Sequence, residues 1–157
     1  MTPAGGDHAC VVLGIGLRAQ ADAAALRALW QQAQAEGRDA FCAVALLDTK
    51  AAHPALAEWL RGAAPGAAVI AVPADALPGQ PVHTQSPRLQ ARYGTGSVAE
   101  AAALSAAGPG AQLLQTRRVA EDGSATLAVA LRQAGPLHCC LAARAPGAAA
   151  PEPGTTS

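Results

Sequence analysis

Ala9-Cys10-Val11-Val12-Leu13-Gly14-Ile15-Gly16 is the stretch whose reading decides the fold class. A short apolar, β-rich run ending in glycines predicts a buried strand, Ala9–Leu13, that feeds a backbone turn at Gly14-Ile15-Gly16. Asp22 then caps a predicted helix running to about Glu36, with Gly37 just beyond its end. Leu26, Leu29, Trp30 and Ala33 fall at i, i+3, i+4 and i+7, so this helix carries one apolar stripe to lay on a sheet. Ala40–Leu47 is a second apolar run, read as a strand buried on both faces and ending at Asp48-Thr49-Lys50. Pro54 suits the first turn of a second helix, to about Arg61, and Ala67–Val72 is a third strand stopped by Pro73.

Working outward, Pro73–Gln85 holds prolines and a glycine without periodicity and predicts a long loop. Ser86, the N-cap, and Pro87 open a helical turn that ends at Tyr93. Gly94-Thr95-Gly96-Ser97-Val98-Ala99-Glu100 is the sharpest local signal: Ser97 and Glu100 make an S-x-x-E capping box, so a helix starts at Val98 and stops at Gly108-Pro109. Gln112–Val119 and Ala125–Arg132 flank the turn Ala120–Ser124 as a hairpin. The order β-α-β-α-β, loop, α, β-β predicts a single α/β domain, a three-layer α/β/α sandwich with a mixed β-sheet, over residues 1–144. Residues 145–157, rich in Ala, Pro and Gly, are expected to form a flexible tail.

Composition excludes several classes. The chain has 157 residues, 51% hydrophobic and 14% charged, which suits one folded domain and argues against disorder. Eleven basic residues balance eleven acidic ones, so neither a nucleic-acid footprint nor a polybasic membrane patch is expected. The aromatic residues (Trp30, Phe41, Trp59, Tyr93) are too few for a base-stacking platform. No strongly apolar run is long enough to span a membrane, and no signal-peptide pattern is visible. Cys10, Cys42, Cys139 and Cys140 do not form the framework of a small secreted protein, so a cytoplasmic chain with reduced thiols is expected.

Several constellations can carry chemistry, each with a plainer alternative. Gly94-Thr95-Gly96-Ser97 leads into a helix start whose free N–H groups suit a carboxylate or phosphate; an ordinary tight turn and cap is the plainer reading of the local pattern. Gly14-Ile15-Gly16 is not a dinucleotide turn, because the third glycine position falls at Ala19 and Asp48 lies too far along the chain. Lys50 stands where a strand reaches the sheet edge, free to meet an anionic ligand or to pair with Asp48 or Glu58. His83, on the loop, reads as a solvated histidine. His8, Cys10, His138, Cys139 and Cys140 lack zinc-ligand spacing, so no metal or cofactor is expected. No Ser-His-Asp, paired-carboxylate or H-E-x-x-H pattern identifies a catalytic residue.

Val82-His83-Thr84-Gln85-Ser86, followed by Gly94-Thr95-Gly96-Ser97-Val98-Ala99-Glu100-Ala101-Ala102-Ala103-Leu104, resembles the CobE and CbiG C-terminal family of cobalamin biosynthesis. Members carry V-x-T-x-S and then G-T/V-G-S-V-x-E-A-A-A-L. Gly14-Ile15-Gly16-Leu17-Arg18 is similar to that family's G-I-G-C-R, with Leu17 in place of Cys. Ala45–Lys50 resembles A-T-I-D-x-K, and Gln115-Thr116-Arg117 stands where V-P-K is usual. The likeness covers about Val11 to Ala130.

The resemblance implies a place in corrin-ring assembly. CbiG is associated with opening a precorrin lactone and losing a two-carbon fragment, but it is longer; this chain matches its C-terminal part, as stand-alone CobE proteins do. Two functions follow as expectations: a binder or carrier of a precorrin or corrinoid intermediate, or a precorrin-modifying hydrolase or lyase. Other corrin-pathway enzymes are the protein partners it implies. A corrin is a broad apolar disc rimmed by carboxylates. The expected ligand contacts are Gly14, Gly16, Arg18, Asp48, Lys50, Thr84, Ser86, Gly94, Thr95, Gly96 and Ser97, converging at the carboxyl edge of the sheet.

Overall fold

Strand β1, Cys10–Leu17, is the centre of a five-stranded mixed sheet. The computed structural model describes residues 10–37, 40–108 and 110–132; the expected tail and Cys139–Cys140 lie outside them. The remaining strands are β2 (Ala43–Leu47), β3 (Ala68–Val72), β4 (Gln112–Val119) and β5 (Ala125–Arg132), in the order β3-β2-β1-β5-β4. The pairs β1–β2 and β2–β3 are parallel, whereas β1–β5 and β4–β5 are antiparallel.

Helix α1 (Ala23–Ala35) is capped by Asp22, whose side chain accepts from the Ala25 amide at 3.0 Å. Helix α2 (Pro54–Ala63) starts on proline, which lacks the amide that the first turn would leave unpaired. Both lie on one face. Leu13, Ile15 and Leu17 of β1, alternate residues of one strand, meet Leu26, Leu29, Leu56 and Trp59 there. Phe41 joins the two helices, edge-on to Trp30 and stacked on Trp59. Helix α3 (Pro87–Tyr93) is short, and α4 (Val98–Ala107) covers the opposite face, where its alanines pack on Val12, Ala43, Ala45 and Ala130. The result is the expected three-layer α/β/α arrangement with a mixed sheet.

One local expectation is corrected. Gly14-Ile15-Gly16 is not a turn: β1 continues through both glycines to Leu17, paired residue by residue with β5. The glycines serve close approach instead. A Cβ on Gly14 would overlap the Ala99 carbonyl oxygen of α4, and one on Gly16 would overlap the Thr126 hydroxyl. Helix α4 is nearly all alanine where it faces the sheet, so it settles deep enough to need a glycine beneath it.

Candidate functional site

The chain runs outward from β1 to β3 and then returns across the sheet to β4 and β5, so the topology reverses at β1. Ligands in open α/β sheets lie outside the carboxyl ends of strands at such a reversal. A cavity of about 600 Å³ opens there. Leu17 and Arg18 enter it from the end of β1, Leu47 and Lys50 from the end of β2, and Arg117 and Val119 from the end of β4. Helix α3 supplies Arg88, Leu89, Arg92 and Tyr93, and Val98 comes from the start of α4.

The lining has one electrostatic sign. Among the described residues it carries five cationic side chains, Arg18, Lys50, Arg88, Arg92 and Arg117, and no acidic one. The alternative that Lys50 pairs with Asp48 or Glu58 is not what the fold does: the ion pair among the described residues is Arg118–Glu36, at 2.9 Å. Like charges around one concave surface repel each other and focus a positive potential, which an anionic ligand relieves. Ile15, Leu17, Leu47 and Leu89 give the same surface an apolar component.

Of the residues expected at the site, Gly16, Arg18, Lys50 and Ser86 line this cavity. The others sit behind or beside it. Gly14 is under α4, and Asp48 is exposed at the start of a tight helical turn, Asp48–Lys50. Ser86 also caps α3, accepting from the Leu89 amide at 3.4 Å. Gly94 ends α3 in the left-handed region (φ +74°), which favours glycine. Thr95 and Ser97 are buried; the Ser97 hydroxyl accepts from the Glu100 amide at 3.2 Å, as a cap does. A Cβ on Gly96 would overlap the Thr84 carbonyl oxygen and lie 2.7 Å from the Gln85 Cα, so this glycine serves loop packing. The helix start at Gly94–Ser97 is thus a packed cap.

Glu100 departs most from expectation. Only half of the capping box forms, because the Glu100 carboxylate turns away from Ser97 into the interior. It is fully buried, and it accepts from the amides of His83 (2.7 Å), Thr84 (3.0 Å) and Arg117 (2.7 Å). The Thr84 hydroxyl donates to it as well, so Thr84 is a partner of Glu100 and not of the cavity. Burial pushes this carboxyl upward, but the hydrogen bonds from Thr84, Arg117 and His83 outweigh it and hold the group below the ordinary glutamate range.

Sequence reasoning missed Arg88, Arg92, Arg117 and His53. The first two had a signal, since i and i+4 place them on one side of α3. Arg117 had another, standing where the resembled family carries lysine. His53 had none: its Nδ1 accepts from the Ala55 amide at 3.1 Å, which makes Nε2 the protonated nitrogen, and Nε2 donates to the Arg18 carbonyl at 3.0 Å. The His53 amide also donates to the Lys50 carbonyl at 3.0 Å, so one residue ties together the backbones that carry Arg18 and Lys50. Among the described residues no cluster of three or more His, Cys, Asp or Glu is placed to hold a metal ion, and no helix is long and apolar enough to cross a membrane.

The family model described as "Cobalamin synthesis G C-terminus" matches residues 11–130. The chain is similar to the crystal structure of CobE, a protein from the cobalamin (vitamin B12) biosynthetic pathway. The TM-score is 0.67 at 30% identity, covering 78% of this chain and 90% of CobE. It is also similar to the cobalamin biosynthesis protein chiG from Agrobacterium tumefaciens str. C58, with a TM-score of 0.55 at 28% identity, covering 76% and 96%. No curated protein matches the chain. With the family model spanning both the α4 motif and the cationic cavity, the chain belongs to the cobalamin synthesis G C-terminus family and is a cobalamin-biosynthesis protein.

Proposed function

We propose that this domain binds a precorrin or corrinoid intermediate by its carboxylate rim, in the cavity at the carboxyl ends of β1 and β2, and passes it to another enzyme of the pathway. The observation that carries the reading is the lining itself: five cations, with apolar side chains among them and no acid among the described residues. A corrin-type macrocycle presents the complementary surface, an apolar disc edged with acetates and propionates. The cavity volume of about 600 Å³ falls in the range of roughly 300–1,000 Å³ usual for small-molecule sites. Each well-formed charge-assisted contact contributes roughly 1.5–3 kcal/mol, so several together are enough for firm binding of a polycarboxylate.

The test is titration of the purified protein with hydrogenobyrinic acid and with the same macrocycle carrying amides in place of carboxylates. Stoichiometric binding of the acid, weaker binding of the amide, and loss of affinity as salt rises are the expected results. Absence of binding by the acid, or equal affinity for acid and amide, overturns the reading. Continued spectral conversion of an added precorrin by substoichiometric protein would replace it with the hydrolase or lyase function.

A further inference from the structure

We propose that Glu100 is a positioning residue for this cavity. Its single buried carboxylate fixes both the segment leading into α3 and the bulged stretch of β4 that carries Arg117, and so places cations on two walls at once. The proposal rests on the corrinoid reading above.

Two independent features of the backbone support it. On β4, Gln115 pairs with Val129 and Arg118 with Leu127, so three steps along β4 match two along β5. The extra residue is a β-bulge at Thr116–Arg117, and bulges characteristically re-aim a side chain. Glu100 takes the Arg117 amide at 2.7 Å. The bulge is thereby held in one conformation, and the conformation of the bulge decides where the Arg117 side chain enters the cavity.

On the other wall, His83 and Thr84 donate their amides to the second oxygen of the same carboxylate. Thr84 stands two residues before Ser86, which caps α3 and lines the cavity with Arg88 and Arg92. The Ser86 amide donates in turn to the Gly96 carbonyl at 3.1 Å, so the entry to α3 is held only a few residues from Glu100.

The choice of residue type is informative. Among the described residues Glu100 forms no ion pair, so its charge is buried against neutral donors alone. Burying a bare carboxylate is costly, and an apolar residue would be the cheaper core filler. Three amides and a hydroxyl converging from two distant segments need an acceptor with two oxygens, each open to more than one donor. A glutamine would turn an amide NH₂ toward some of those donors.

The experiment compares hydrogenobyrinic acid binding by wild type, Glu100→Gln, Thr84→Val and Leu29→Ala, each at a temperature where circular dichroism shows native fold. Leu29→Ala is the stability control, because it opens the core on the opposite face under α1. Glu100→Gln should weaken binding by about tenfold or more, and Thr84→Val by about threefold. Both should flatten the dependence of affinity on salt, since misplaced arginines contribute less to the electrostatic attraction. Leu29→Ala should lose stability yet keep wild-type affinity and salt dependence. If Glu100→Gln fails to fold, Thr84→Val carries the test, because it keeps the side-chain shape and removes one donor. Wild-type affinity and salt dependence in every folded variant at Glu100 and Thr84 overturns the proposal. So does an affinity loss in Leu29→Ala that matches theirs, which would make it a stability effect. Failure of the wild type itself to bind removes the corrinoid reading and this role together.

Discussion

Gly14 of β1 lies directly beneath the Ala99 carbonyl of α4, with no space between them for a Cβ. The Ala103 methyl would stand 2.8 Å from such an atom, so the whole first half of α4 would have to lift. Overpacking of a core normally costs about 1–3 kcal/mol. Because a backbone carbonyl blocks the way here, Gly14→Ala should lose about 3 kcal/mol, read from the urea midpoint with the slope unchanged. A loss under a few tenths would mean that α4 sits further from the sheet.

Ser97 caps α4 from a fully buried position, with its hydroxyl accepting from the Glu100 amide. Ser97→Ala should therefore destabilise by about 1 kcal/mol. Its effect on corrinoid affinity in the folded protein should be small, because the hydroxyl is occupied. An unshifted denaturation midpoint combined with weaker binding would instead put Ser97 among the ligand contacts.

Lys50 and Gly96 should respond oppositely. Lys50 lines the cavity, half-exposed and outside any ion pair among the described residues, so Lys50→Ala should weaken binding of hydrogenobyrinic acid by about tenfold and leave stability nearly unchanged. Gly96 packs on the Thr84–Gln85 backbone, so Gly96→Val should cost about 2 kcal/mol of stability, with affinity falling only as the entry to α3 is displaced. Isothermal titration alongside thermal denaturation reads both quantities. Equal loss of stability in the two variants would contradict this division.

Acid should unfold the protein partly through Glu100. Its carboxyl is held below the ordinary range in the folded state, so the folded protein binds this proton less readily than the unfolded chain does. The stability it contributes is fully present above the unfolded value of about 4.3 and is lost as pH falls through the lowered folded value. Urea midpoints measured from about pH 6 down to about pH 3 should fall for the wild type and fall less steeply for Glu100→Gln. Parallel slopes would show that other carboxylates dominate the acid limb.

The alternation of strands and helices was legible along the chain, as were the caps at Asp22, Ser86 and Ser97, the proline at the start of α2 and the closing hairpin. Each depends on groups a few residues apart, on the period of apolar side chains or on the first unpaired amides of a helix, so local order is enough to reveal it. That Arg18, Lys50 and Ser86 would gather at one edge of the sheet was legible for a related reason, since they follow strand ends or open a helix there.

Contacts across the fold were decided elsewhere. Gly14 and Gly16 look the same in sequence whether they turn the chain or continue a strand. The approach of α4 and the pairing with β5 settle that they continue it. The Glu100 carboxylate had a local partner available at Ser97 and took the amides of His83, Thr84 and Arg117 instead. They lie sixteen or seventeen residues away in the chain, but three converging donors outweigh one. The cationic cavity arises in the same way. Its charges are scattered from Arg18 to Arg117, and only the strand order β3-β2-β1-β5-β4 and the placing of α3 gather them around one concave surface. Periodicity and capping act through neighbours along the chain, whereas a binding surface depends on distances that exist only after distant segments have packed.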